Sequence, residues 1–94
     1  MKLVINYDYG GYSVPKAYCV ERNIDPYKTP VERNDPDYVA WVEAHADEEG
    51  HYDEGWANLT VVEIPDDATD YEVLEYDGAE TVIYVQNGKI IYAD

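Results

Sequence analysis

Apolar positions follow two rhythms along this chain. Residues 2–7 (KLVINY) form a compact apolar run with β-branched Val4 and Ile5, which predicts a buried strand. Gly10-Gly11 ends it. Ser13 can cap a short helix over residues 14–22, with Pro15 tolerated in its first turn. Helical spacing turns Ala17 and Tyr18 inward together. Residues 23–35 carry Pro26 and Pro30 among Asn and Asp, the composition of an irregular loop. Asp35-Pro36 then marks a helix start, the Asp as N-cap and the Pro at the first helical position. This helix is expected to run to about Glu49, where Gly50 stops it. Its apolar stripe is Tyr38, Trp41, Val42, His45 and Ala46, with His45 packed against Trp41.

The second half changes to strand rhythm. Residues 50–56 read as a loop and 57–64 (ANLTVVEI) as a strand closed by Pro65 and an Asp66-Asp67 turn. Residues 71–76 (YEVLEY) form another strand, closed by Asp77-Gly78. Asn87-Gly88 between two β-branched runs specifies a tight type I′ hairpin, placing Val85 opposite Ile90 and Ile83 opposite Tyr92. These elements predict an α+β fold in a single domain, residues 1–94. It is a mainly antiparallel sheet of about four strands, in β-α-α-β-β-β order, with two helices packed on one face. The place of the first strand in that sheet does not follow from the pattern.

Charge alters this ordinary picture. The 94 residues hold 21 acids and 6 bases, a formal net charge of −15. Between Asn34 and Gly88 lie sixteen of the acids and not one Lys or Arg. Self-repulsion of that size costs a small domain stability, so something must favour it: solubility, a cation, or a basic partner. The same charge excludes direct binding to DNA, RNA or an anionic membrane surface. Hydrophobic content of 46% keeps the chain in the folded class. Eleven Tyr, two Trp and no Phe give it aromatics suited to half-wet sites and interfaces. The lone Cys19, expected half-buried, allows no internal disulfide and fits a reducing cytoplasm. Neither a signal peptide nor a long apolar stretch is visible.

Several segments resemble, in order, a family of small phage and prophage proteins, most of them uncharacterised. Its members open with K-I-V-I-N, a Y-G-G-F turn and a short helix, and later carry V-V-E-I-P-D-D and an E-E-Y-D-G segment. Here these read KLVIN from Lys2, YGGY from Tyr9, VVEIPDD from Val61 and YEVLEYDG from Tyr71. RNDP from Arg33 resembles the family's lead into its central helix. Pro15 replaces the usual capping Ser, and NGKIIYAD replaces a short polar tail. The resemblance covers roughly half the chain and carries no catalytic residues. It implies a virus-encoded protein of the host cytoplasm, a setting in which inhibition of a host system is expected.

Candidate chemistry is sparse. Gly10-Gly11 follows a strand and precedes a helix, but the P-loop spacing and Lys are missing, and a turn needing positive φ accounts for it. Asn6 and Ser13, flanking that turn, are expected to make local backbone hydrogen bonds. His45, Asp47, Glu48, Glu49, His51, Asp53 and Glu54 crowd a helix-to-loop junction, yet their spacing matches neither H-E-x-x-H nor an EF-hand. No metal, cofactor or catalytic residue is therefore assigned, and the chain is read as a non-enzyme.

The acids themselves remain. Alternate strand residues lie roughly 6.5–7 Å apart on one face. Helical residues four apart are about 5–6 Å apart at Cβ. Both spacings are comparable to neighbouring phosphates. The expected binding residues are Glu43, Asp47, Glu48 and Glu49 on the second helix, continued by Asp53 and Glu54, with Asp66, Asp67 and Asp70 as a second patch. Asp47, Glu48 and Glu49 crowd the negative end of the helix dipole, where cations are preferred. The leading expectation is an acidic nucleic-acid mimic. It would occlude the basic DNA- or RNA-binding channel of a host defence protein, such as a CRISPR effector or restriction nuclease. One alternative is a non-catalytic interaction module with a Tyr-rich face. A weaker one is a metal-dependent enzyme at the His45–Glu54 cluster.

Overall fold

In the computed structural model, the described residues are 1–8, 11–45 and 59–93. Among these residues, two helices and five strands follow in the order β1 (Lys2–Asn6), α1 (Lys16–Arg22), α2 (Pro36–His45), β2 (Leu59–Glu63), β3 (Asp70–Tyr76), β4 (Ala79–Gln86) and β5 (Lys89–Tyr92). The α+β class and the antiparallel pairing are as expected. What differs is the division of the sheet: among the described residues the strands form two small sheets, β1-β2 and β3-β4-β5, where one was expected.

The reason lies at the outer edge of β1. A further strand there would need the backbone groups of Val4 and Asn6. Instead Val4 N–H donates to the Arg33 carbonyl at 3.0 Å, and Arg33 Nη1 donates to the Val4 carbonyl at 3.0 Å. Asn6 N–H donates to Glu80 Oε1 at 2.9 Å. Side chains and a loop thus satisfy that edge, and the second sheet packs face to face against the first.

β1 consequently lies in the middle layer. Its alternation sends Val4 toward the helices, where Tyr18, Tyr38, Val39, Trp41, Val42 and Leu59 complete one core. Leu3 and Ile5 point the other way, meeting Val62, Ile64 and Val82 in a second core. Burial on both faces is what its unbroken apolar run signalled.

Local chemistry sets the element ends. Helix α1 starts at Lys16, two residues later than expected, with Pro15 as its N-cap residue and no side-chain cap, so Ser13 does not serve that role. Asn23 closes it at φ 54°, donating to the Cys19 and Val20 carbonyls. Asp35 caps α2 as expected, its Oδ1 accepting from the N–H groups of Asp37 at 2.9 Å and Tyr38 at 3.2 Å. The described helix ends at His45, and residues 46–50, where the stop was expected, lie outside the described set. Tyr38, Trp41 and Val42 are buried as expected, and Val39 joins them in the same core.

Both hairpins of the second sheet turn on two residues at positive φ, Asp77-Gly78 at 53° and 87° and Asn87-Gly88 at 54° and 76°. The register pairs Val85 with Ile90 and Ile83 with Tyr92, as expected.

Candidate acidic interface

The first residues of β1 organise the acidic side chains of two separate chain segments. Lys2 Nζ lies 3.2 Å from Glu43 Oε2, on the exposed side of α2, and Lys2 pairs in register with Glu63 at the end of β2. One residue earlier, the Met1 ammonium donates to the Ile64 carbonyl and to Asp66 Oδ1, both at 2.9 Å. Asp67 follows, its Oδ1 accepting from Gln86 Nε2 at 2.9 Å. Asp70 opens β3, its Oδ1 accepting from the N–H of Tyr71 at 2.9 Å.

Glu43, Glu63, Asp66 and Asp67 therefore line one exposed rim, with Asp70 beyond its end on the outward face of β3, although Glu43 is twenty residues or more from the others in sequence. A shallow, open depression of about 460 Å³ lies along it, lined by Met1, Glu63, Pro65, Asp66 and Tyr84 among others. Asp66 is 99% exposed, and the Met1 ammonium holds its carboxyl below the usual carboxylate range. Such exposed pairs are weak and exchange readily with a competing cation.

Sequence reasoning placed Glu43 in one patch and Asp66, Asp67 and Asp70 in another, and the structure links Glu43 to Asp66 through Lys2 and Met1. Asp47, Glu48, Glu49, Asp53 and Glu54, the rest of the expected set, lie outside the described residues. Glu63 and Glu72 were missed. Their signal was present: each is an exposed acid in a strand, and Glu72 follows Asp70 at the two-residue spacing of one face.

The polar side chains buried between the layers make a different arrangement. Arg33 engages Glu80 through two hydrogen bonds, 2.8 Å to Oε1 and 2.7 Å to Oε2. Its Cζ lies 3.8 Å from the Tyr12 ring centroid, and the Tyr12 and Tyr38 hydroxyls meet at 3.0 Å. Asn6 Nδ2 donates to the Asp8 carbonyl, locally as expected, and also to the Gly78 carbonyl at 2.8 Å. Each polar group here is matched to a neighbour, the signature of a structural tie.

Cys19 is buried, more deeply than the half-burial expected, and burial pushes its thiol up from the ordinary value, which makes it a poor nucleophile. His45 stacks on Trp41 with ring centroids 4.0 Å apart, as expected. Among the described residues, no group of three His, Cys, Asp or Glu is placed to hold a metal ion. No described helix is long and apolar enough to cross a membrane.

In comparison with known proteins, no family model matches this chain, and neither does any curated protein or any solved structure. The fold and rim define an acidic α+β domain.

Proposed function

We propose that this protein is a virus-encoded inhibitor that occupies the basic nucleic-acid-binding channel of a host defence protein, of the CRISPR effector or restriction nuclease kind. The observation that carries the reading is the rim of Glu43, Glu63, Asp66 and Asp67, with Asp70 beyond its end, on an elongated body of 41 × 24 × 24 Å. Arg and Lys side chains that hold phosphates accept carboxylates equally well. A net charge of −15 attracts such a channel over long range and repels the nucleic acid it displaces. Inhibitor and substrate compete for the same cations, so association is fast and weakened by salt. The cytoplasm of the host cell is where the target resides.

Affinity capture from host lysate, eluted by a salt gradient, names the target. The expected partner is a nucleic-acid-binding protein released by salt and displaced by added DNA or RNA. A variant combining Glu63→Lys, Asp67→Lys and Asp70→Lys is then expected to lose inhibition by about a hundredfold or more, from three lost contacts of roughly 1 kcal/mol each. Full inhibition by that variant, with an unchanged circular dichroism spectrum, would sink the reading.

A second reading has its own observation. Tyr76 and Tyr92, with Ile90, are exposed on the side of the second sheet turned away from the core. That favours an interaction module binding through this face, in a complex that resists salt.

A further inference from the structure

The register of the second sheet separates its two faces. Val73, Val82 and Tyr84 point into the core against Leu3, Ile5 and Val62. The alternate positions face outward: Asp70, Glu72 and Leu74 on β3, Ile83 and Val85 on β4, Ile90 and Tyr92 on β5. Ile90 is 68% exposed, Tyr92 65% and Leu74 38%, so among the described residues nothing covers this face. A solvated face of an antiparallel sheet is normally polar at such positions. This one is divided. Asp70 and Glu72 form an acidic flank on β3, and Ile83, Val85, Ile90 and Tyr92 form an apolar strip beside it.

Acids on an edge strand also guard against edge-to-edge pairing, and Glu72 and Glu75 serve that purpose on β3. Edge protection does not account for Ile90 and Tyr92, which belong to the opposite edge strand and turn large apolar groups to water. A second copy of this chain is a poor occupant, because two bodies of charge −15 would be brought face to face. The complement of the face is an apolar surface bordered on one side by cations.

We propose that this face docks a basic amphipathic helix of a partner protein, its apolar stripe on Ile83, Val85, Ile90 and Tyr92 and its Lys or Arg flank on Asp70 and Glu72. The proposal rests on the second reading above, that the face is an interface, and adds the chemistry of what binds there, a Lys or Arg flank that makes this complex moderately salt-sensitive instead of salt-resistant. The eight residues of β4 span about 26 Å at ~3.3 Å each. At 1.5 Å per residue, a helix of about 18 residues covers that length.

The test is titration of the isotope-labelled full chain, by NMR, with three synthetic 18-residue helical peptides. The first has a Leu stripe beside a Lys flank, the second replaces Lys by Gln, and the third replaces Leu by Ser. The expected result is saturable shifts at the amides of Glu72, Ile83, Val85, Ile90 and Tyr92 with the first peptide, and binding at least about tenfold weaker with the other two. Ile90→Ser with Tyr92→Ser, and separately Glu72→Lys, are expected to weaken the first peptide by a similar factor. These side chains are exposed, so both variants keep the wild-type fold. Equal binding of the Gln peptide overturns the basic-partner assignment and leaves the interface reading standing. Equal binding of the Ser peptide, or shifts confined to Asp66 and Asp67, overturns the docking face. Absence of perturbation by all three peptides overturns the proposal and leaves the second reading to the salt resistance of the captured complex. A dimer in sedimentation that Ile90→Ser dissolves assigns the face to a second copy and overturns the proposal.

Discussion

Arg33 and Glu80 are forty-seven residues apart, yet they act as one device. Glu80 is only 6% exposed, and both of its oxygens are taken by Arg33. Together they satisfy backbone groups of Val4 and Asn6 that a neighbouring strand would otherwise have to meet. Glu80→Gln keeps the shape and removes the charge, leaving the guanidinium without its anion. The expected cost is about 3 kcal/mol, the low end for a broken buried pair because Arg33 is 27% exposed, read by urea denaturation. Asp37 behaves differently. Hydrogen bonds from Arg22 at 2.7 Å and from the Tyr18 hydroxyl at 2.8 Å hold its carboxyl below the ordinary value. A carboxylate with a depressed pKa in the folded state stabilises above the unfolded value, about 3.9, and that contribution is lost as pH falls through the folded one. Asp37→Asn is therefore expected to flatten the acid limb of a melting-temperature profile below about pH 4. Profiles of equal slope would show that the ion pair contributes nothing.

At the scale of elements, local chemistry succeeds where it is self-contained. Asp35 caps α2 and Pro36 follows it, because both act through the geometry of a single helical turn. The two type I′ turns are equally local. Gly88 lies at φ 76° with nothing within 4 Å of an added Cβ, so Gly88→Ala tests conformation alone. The expected cost is about 1–2 kcal/mol from the left-handed region, with register unchanged, measured by chemical denaturation and amide exchange of β4 and β5. Helix α1 was less legible. Ser13 offered a cap, but Pro15 is itself the N-cap residue, extended at ψ 136°, so the helix starts at Lys16, two residues later than expected. Its seven residues are held instead by Tyr18 and Cys19 in the core and by Arg22 on Asp37. These contacts depend on where α2 packs, which no window of α1 contains.

For the whole molecule, the decisive quantity is charge. Fifteen net negative charges on a domain this small store repulsion that counter-ions relieve. Raising salt from about 0.01 M to about 0.1 M shortens the screening length from ~30 Å to ~10 Å. The melting temperature is expected to rise by about 4–8 °C for each kcal/mol of repulsion screened. A melting temperature that falls with salt would assign the larger effect to the ion pairs of Lys2, Arg22 and Arg33. Under the proposed function the same screening weakens capture of a basic partner, so stability and binding are expected to move in opposite directions as salt is added.

Sequence alone determined the class of fold, the Asn87-Gly88 hairpin, the α2 start and the acidity of residues 34–88, since each rests on neighbours in the chain or on composition. Tertiary structure decided three further matters. It split the strands into two sheets, because the β1 edge is met by Arg33 and Glu80 instead of by backbone. It drew Glu43 to Asp66 through Lys2 and Met1, joining acids that are distant in the chain. It left one face of β3-β4-β5 half acidic and half apolar, because only the opposite face packs on β1 and β2. Pairings across tens of residues depend on which faces are buried together, and that is settled only when the layers pack.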